Sequence, residues 1–205
     1  MRTILLTLCL FMGTILSAQN NVLIEIENAN AAYKVITGDF VRTQTNVAKG
    51  TSIKADGTLY IVGEDQMAQY YKAPSTDLLI INGNDFYMIR GKKTNKFNTE
   101  KNKTMRSLRN TLLYCVHGKP MELATENGAE ITAEKKENEY EVVLISTKKT
   151  ARGYAKIVLT YDLKSKLLTK MRMDEYNGNS TLYEMNDLKT NGNIDVEVFD
   201  IPEKK

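Results

Sequence analysis

KADGTLYIVGEDQMAQYYKAPSTDLLIINGNDFYMI, residues 54–89, is the stretch that decides the fold. Asn82-Gly83 lies between two apolar runs, and this pair is the strongest short-range signal for a hairpin, because a type I′ turn needs positive φ at both central residues. The other turn-forming runs are Ala55-Asp56-Gly57, Gly63-Glu64-Asp65 and Ala73-Pro74-Ser75. The stretch therefore predicts an antiparallel meander of four strands at Thr58–Val62, Met67–Lys72, Asp77–Ile81 and Asp85–Ile89.

Further strands are predicted on both sides of the meander. Thr37–Asn46 alternates, with Phe40, Arg42 and Gln44 on one face and Val41, Thr43 and Thr45 on the other. Short turns separate the strands predicted in the C-terminal half, which are Ala129–Lys135, Glu139–Thr147, Tyr154–Asp162, Leu167–Glu175, Thr181–Lys189 and Val196–Phe199. No βαβ pattern is present, so we expect one antiparallel sheet of about 10–11 strands.

Two helices are predicted, at Gln19–Val35 and Asn102–His117. Each has apolar residues at spacings of 3 and 4, and Gly118 with Pro120 marks the end of the second. The segment between the meander and the second helix, Arg90–Lys103, is polar and basic and is predicted to be a solvated loop. An open sheet of this size must curl, and the helices must bury their apolar faces. We therefore predict an α+β fold in which a curved antiparallel half-barrel holds the helices on its concave face as a lid.

The first 18 residues, MRTILLTLCLFMGTILSA, predict a cleaved signal peptide with a basic start, an apolar run and a small-residue cleavage site. The run is too short to span a membrane comfortably, and Cys9 lies inside it, away from the position that a lipid anchor requires. We expect residues 19–205 to form a single domain, exported to the periplasm as a soluble monomer. Without the signal the chain has 27 Lys and Arg against 25 Asp and Glu, which does not favour nucleic acid as a partner.

The sequence shows little sign of catalysis. Beyond the signal it has one histidine, His117, and one cysteine, Cys115, and two residues this close on a helix do not face each other. His117 is expected to interact with the helix dipole, and Cys115 to be a small buried apolar residue. We therefore expect no enzyme, no metal and no cofactor. Seven methionines remain after the signal, and methionine adapts well to varied apolar partners.

These features together resemble one family. Phe40–Gln44, Gly57-Thr58-Leu59-Tyr60, Met67 with Tyr71 and Pro74, and Leu78–Tyr87 are similar to the LolA-type periplasmic carriers of outer-membrane lipoproteins. The C-terminal strands, to Ile201-Pro202, match in order and spacing. The resemblance implies an eleven-stranded half-barrel closed by helices, and a carrier that shields the acyl chains of lipoproteins. It also implies two partners, an inner-membrane lipoprotein-releasing transporter and an outer-membrane acceptor.

On this basis we predict the residues of an apolar cavity. Strand parity places Met67, Gln69 and Tyr71 on one face, although a one-residue slip would exchange every strand assignment. The predicted ligand-binding residues are Phe40, Leu59, Ile61, Met67, Tyr71, Leu79, Ile81, Phe86, Met88, Leu108, Leu112, Met171 and Met173. The predicted lid residues are Val22, Ile26, Met105 and Val116.

The sequence departs from the family at the turn before Met67. Many members carry a basic residue there, and in the proteobacterial type an arginine helps to hold the lid closed. Here the turn is Gly63-Glu64-Asp65, so either the lid is held differently or the chain is a divergent paralogue with other cargo. Gln69 replaces a family aromatic. The alternative function is a binder of another apolar ligand, such as a glycolipid, a pigment precursor or a sensory lipid.

Overall fold

Eleven strands form one open antiparallel sheet in the computed structural model, which describes residues 20–148 and 153–201. The predicted signal peptide lies outside these residues. In chain order the strands are β1 Val35–Asn46, β2 Thr51–Val62, β3 Gln66–Tyr71, β4 Leu78–Asn82, β5 Asp85–Arg90, β6 Lys93–Asn98, β7 Ala129–Lys135, β8 Glu139–Ser146, β9 Tyr154–Asp162, β10 Leu168–Glu175 and β11 Ser180–Thr190. Their spatial order is β6-β5-β4-β3-β2-β1-β11-β10-β9-β8-β7, with β6 and β7 at the two edges.

Helices cover one face of the sheet. They are α1 at residues 20–31, α2 Lys103–Val116 and α3 Pro120–Asn127. The side chain of Asn102 caps α2 by accepting a hydrogen bond from the Met105 backbone N–H at 3.1 Å. Gly118, at φ +64°, allows the chain to turn after α2, and Pro120 then starts α3 at a position where its missing N–H has no cost. No helix within the described residues has the length and apolar character needed to cross a membrane.

The predicted fold class is confirmed, and four local predictions are wrong. The Arg90–Lys103 segment contains strand β6. It was not predicted because β6 is an edge strand with mostly polar side chains and therefore lacks the apolar alternation of a buried strand. Strand β2 begins at Thr51, so Ala55-Asp56-Gly57 is strand and not turn. The first helix ends at residue 31, and Val35 begins β1. Val196–Phe199 is a 3-10 helix rather than a strand.

Apolar side chains pack on both faces of the sheet. The concave face forms a large cluster with α1, α2 and α3, and we call this cluster the interior. On the opposite face, a smaller cluster of Ala68, Leu78, Ile80, Tyr87 and Ile89 is covered by Phe199 of the 3-10 helix. The Tyr70 hydroxyl donates a hydrogen bond to the Val198 carbonyl at 2.8 Å and ties that segment down.

Gly57 makes the close packing of β1, β2 and β3 possible. A Cβ at this position would lie 2.2 Å from the Tyr70 carbonyl oxygen and 2.8 Å from the Phe40 ring. We expect Gly57→Ala to lower the free energy of unfolding by about 2 kcal/mol, because overpacking forces backbone to move. Gly192→Ala is the control, since its Cβ would meet nothing within 4 Å. Equal urea-denaturation midpoints for the two variants would contradict this packing.

Candidate functional site

All seventeen predicted ligand-binding and lid side chains lie in the interior. Twelve of them are buried members of the cluster, and Leu79, Met88, Leu108, Val22 and Met105 are partly buried and pack against it. The cross-strand pairs explain the shared face, because Met67 is directly opposite Ile61 and Ile81, and residues directly opposite in neighbouring strands point the same way. The parity predicted from the sequence therefore has the correct register.

The interior is tightly filled where it can be measured. A void of about 10 Å³ lies between the sheet and the helices and is lined by Leu59, Ile61, Val116, Leu168 and other apolar side chains. That is about the space of one water molecule. The side chains of the helices fill the rest, since Ile26 and Leu112 have exposed fractions of 0% and 2%. An acyl chain therefore fits only where helical side chains leave.

Helix α1 is held to the β9–β10 turn by polar contacts at the rim of the interior. The Asn30 side-chain amide donates to the Lys166 carbonyl at 2.7 Å. Lys166 Nζ lies 2.9 Å from the Glu25 carboxylate, which also accepts a hydrogen bond from the Tyr140 hydroxyl at 2.8 Å. The hydrogen bond from Lys166 is the main reason that the pKa of Glu25 lies below its usual range. The Tyr33 hydroxyl donates to the Ser165 carbonyl at 2.9 Å.

Helix α2 and the residues after it are tied to two turns at the same end of the sheet. Arg109 Nε donates to the Gly83 carbonyl in the β4–β5 turn at 2.7 Å. Lys119 Nζ lies 3.0 Å from Glu64 in the β2–β3 turn, and its hydrogen bond lowers the pKa of that carboxyl. Glu64 lies in the turn where the family resemblance leads one to expect a basic residue. In this pair the basic residue is Lys119, next to the helices, and the acidic residue is in the turn, which is the reverse of the expected placement of charge.

The other end of the interior becomes polar. Along the concave face of β1, Ile36 and Phe40 are buried, Arg42 is half-buried and Gln44 is exposed. The neighbouring side chains of β3 and β11 are Tyr71 and Tyr183, whose rings lie 5.0 Å and 6.1 Å from the Phe40 ring. Gln69 is buried and accepts a hydrogen bond from the Tyr71 hydroxyl at 3.4 Å. An elongated apolar molecule would thus meet polar groups at this end.

The remaining chemically active groups are buried away from solvent. Burial raises the pKa of the Cys115 thiol, which keeps it protonated. Burial also lowers the pKa of His117 to about 4, which favours the neutral side chain at pH 7, and His117 lies at the C-cap of α2. Its Nε2 is buried and has no hydrogen-bond partner among the described residues. Within residues 20–148 and 153–201, no three His, Cys, Asp or Glu side chains group to hold a metal ion.

A larger depression, of about 420 Å³, lies outside the interior. It is open and is lined by Thr37, Asp39, Asp187 and Asn193 from β1, β11 and the segment after β11. Asp39 is already paired there, since it accepts hydrogen bonds from Thr58 and Lys72 at 3.1 Å each. Size alone therefore does not identify the functional site, and the predicted residues lie in the closed interior.

The sequence did not reveal the polar contacts that hold the helices. Glu25 and Lys166 are far apart in the chain, and Lys119 and Glu64 are separated by 55 residues. Charged residues of this kind are ordinarily solvated, and no spacing in the chain joins them. The reversed charge at Glu64, which was visible as a departure from the family, was the one available signal.

Comparison with known proteins finds one matching family and several solved structures with a similar fold. The family model "Outer membrane lipoprotein carrier protein LolA" matches residues 31–202. A DUF1329 family protein from Desulfovibrio piger is 10% identical, with a TM-score of 0.51 over 91% of this chain and 97% of that one. MucB is 13% identical, with a TM-score of 0.50 over 92% of this chain and 64% of its own.

The LolA superfamily protein from Nitrosomonas europaea is 9% identical, with a TM-score of 0.45 over 89% of this chain and 97% of that one. At these identities the solved structures describe the fold alone. No curated protein sequence matches the chain significantly. The match of the family model over most of the chain, together with the eleven-stranded sheet, shows that the chain belongs to the LolA family of outer-membrane lipoprotein carrier proteins.

Proposed function

We propose that this protein is a periplasmic carrier that shields acyl chains of lipoproteins in its interior. It takes them from an inner-membrane lipoprotein-releasing transporter and delivers them to an outer-membrane acceptor. It does so as a monomer, without a cofactor and without catalysing a reaction. The observation that carries the proposal is the apolar interior, whose helical cover is joined to the sheet by rim contacts such as Glu25–Lys166 and Lys119–Glu64.

The filled interior suits a carrier that must release its cargo. Burying acyl methylenes contributes about 0.8 kcal/mol each, so one sixteen-carbon chain gives roughly 13 kcal/mol and three give roughly 40, well above the usual limit near 20 for non-covalent binding. In the closed protein, Ile26, Leu112 and Val116 already occupy the apolar space. Acyl chains would replace these contacts instead of adding to them, so the net affinity is a small difference and release stays possible.

The rim contacts of α1 are expected to control how fast the interior opens. Lys166→Met removes the ion pair with Glu25, and we expect uptake of an apolar fluorescent probe to become about 2–5-fold faster, since such pairs contribute up to about 1 kcal/mol. Lys136→Met is the control, because its partners Glu134 and Glu141 alternate along β7 and β8 with interior residues such as Tyr140 and therefore lie on the face of the sheet opposite the helices. Stopped-flow measurement of both variants tests this, and identical uptake rates would exclude a gating role for Lys166.

Native purification from the periplasm, followed by mass spectrometry of what co-elutes, tests the proposed cargo. Triacylated lipoproteins are the expected result. A free lipid or a pigment would instead support the second candidate, a binder of another apolar ligand. The buried Gln69 and the half-buried Arg42 at the polar end favour that candidate, because acyl chains alone need neither group. An empty protein that also refuses an apolar dye would overturn both.

A further inference from the structure

Arg42 is unusual among the five arginines that the structure describes. Its Nε is buried and has no hydrogen-bond partner among the described residues, where no carboxylate lies within the distance of an ion pair either. Arg109 and Arg172, in contrast, donate through Nε to Gly83 and Asp174. Arg90 and Arg106 are exposed and can be solvated. Buried polar groups in folded proteins almost always have hydrogen-bond partners, so a buried guanidinium N–H without one needs a physical explanation.

The surroundings of Arg42 fix its guanidinium in place. The guanidinium carbon lies 4.6 Å from the centroid of the Tyr71 ring, in a cation–π contact. Tyr183 is directly opposite Arg42 in the pairing of β1 with β11, so both side chains are on the concave face. The stack holds the planar donor group in one orientation. That orientation reduces the entropy lost when an acceptor binds.

The position along the strand matches the head of an amphiphile. Phe40, one step inward on the same face, is buried, whereas Gln44, one step outward, is exposed. Arg42 therefore stands where the apolar interior meets solvent. From Arg42 inward to Ile36 the strand is about 20 Å long at roughly 3.3 Å per residue. One leaflet of a bilayer's hydrocarbon core, which is about half of 30 Å thick, is a similar length.

We propose that Arg42 is a binding site for the anionic head group of an acylated ligand whose chain occupies the interior. This inference rests on the proposed function, because it needs the interior to accept an acyl chain. A guanidinium with free N–H groups pairs with carboxylate or phosphate oxygens through two parallel hydrogen bonds. The head group is therefore a carboxylate, as in a fatty acid, or a phosphate, as in a phospholipid. Tyr183, directly opposite Arg42 in the sheet, offers a hydroxyl for a further hydrogen bond.

The test is a competition with an apolar fluorescent probe. The competitors share one sixteen-carbon chain and are the fatty acid, the lysophosphatidate and the uncharged alcohol. In the wild-type protein we expect at least one anionic competitor to bind about tenfold more tightly than the alcohol. If the fatty acid binds more tightly than the alcohol, the head group is a carboxylate; if the lysophosphatidate does, it is a phosphate.

Arg42→Gln is expected to abolish this preference while the affinity for the alcohol stays within about twofold, because the side-chain stem and the interior remain. Arg172→Gln is the control, since Arg172 is exposed and paired with Asp174; it should keep the wild-type preference. Equal binding of acid, phosphate and alcohol to the wild type would overturn the inference but leave the proposed function standing. If no competitor displaces the probe, the proposed function fails as well.

Discussion

Met67→Glu is expected to lower the affinity for an acylated ligand by about 100-fold or more. Met67 has an exposed fraction of 1% and lies in the interior between Ile61 and Ile81. A carboxylate there either stays charged in apolar surroundings or takes up a proton, and a pKa raised by about 3 units corresponds to about 4 kcal/mol of lost stability at neutral pH. The free protein can relieve this cost when the helices move and let water reach the carboxylate, whereas a bound acyl chain keeps water out, so the cost falls mainly on the bound state.

Three variants separate binding from folding. Met67→Gln introduces a polar group without charge, and we expect an affinity loss of about tenfold with the fold retained. Met121→Glu is the matched control, because Met121 lies on α3 with an exposed fraction of 42% and should bind as the wild type does. Probe titration and circular dichroism are the measurements. A folded Met67→Glu protein with wild-type affinity would show that the ligand does not enter the interior.

The free energy of unfolding is expected to fall by about 2 to 3 kcal/mol between pH 7 and pH 4.5 because of His117. Burial, with a smaller contribution from the charge of Lys119, lowers its pKa from 6.5 to about 4, and Glu64 partly opposes this shift. The unfolded chain therefore takes up a proton at higher pH than the folded protein. Stability is full above about pH 6.5 and is lost as the pH falls towards 4, at about 1.4 kcal/mol per pKa unit.

His117→Asn should remove this pH dependence. Among the described residues, five carboxyls whose pKa is lowered by partners also destabilise the protein in acid, but mainly below about pH 5, because their ordinary pKa values are 4.5 for Glu and 3.8 for Asp; the window from pH 7 to about 5 therefore reports chiefly on the histidine. These carboxyls are Glu25, Asp39, Glu64, Asp85 and Asp162. Urea denaturation at pH 7, 6, 5 and 4.5 measures the effect. The same slope in both proteins would mean that His117 is solvated.

Much of the fold was predictable because alternation and turn residues are local signals. The inward parity of Met67 and Tyr71 followed from period-2 alternation, and one correct register placed the whole interior. Strand β6 was missed because its side chains are polar on both faces, as edge strands often are, and its lysines looked like a solvated loop. Gly57 was taken for a turn residue, whereas its missing side chain serves close packing against Phe40.

The site itself was less predictable than the fold. The pattern of apolar residues predicts an interior, but it does not predict that side chains of α1 and α2 fill that interior. A void of about 10 Å³ remains between the helices and the sheet. The contacts that hold these helices join residues from distant parts of the chain, such as Glu25 and Lys166. Arg42 looked like an ordinary polar strand residue. Only the three-dimensional packing shows that its Nε is buried without a partner among the described residues.

The central claim is that acyl chains enter the space that α1 and α2 now fill. A lipopeptide with a photoreactive group at the end of its acyl chain tests this most directly, by irradiation and mapping of the adducts by mass spectrometry. We predict adducts on concave-face residues such as Leu59, Met67 and Met171 and on Leu112 of α2. Adducts confined to the opposite face, at Tyr60 or Val198, with none in the interior, would contradict the account.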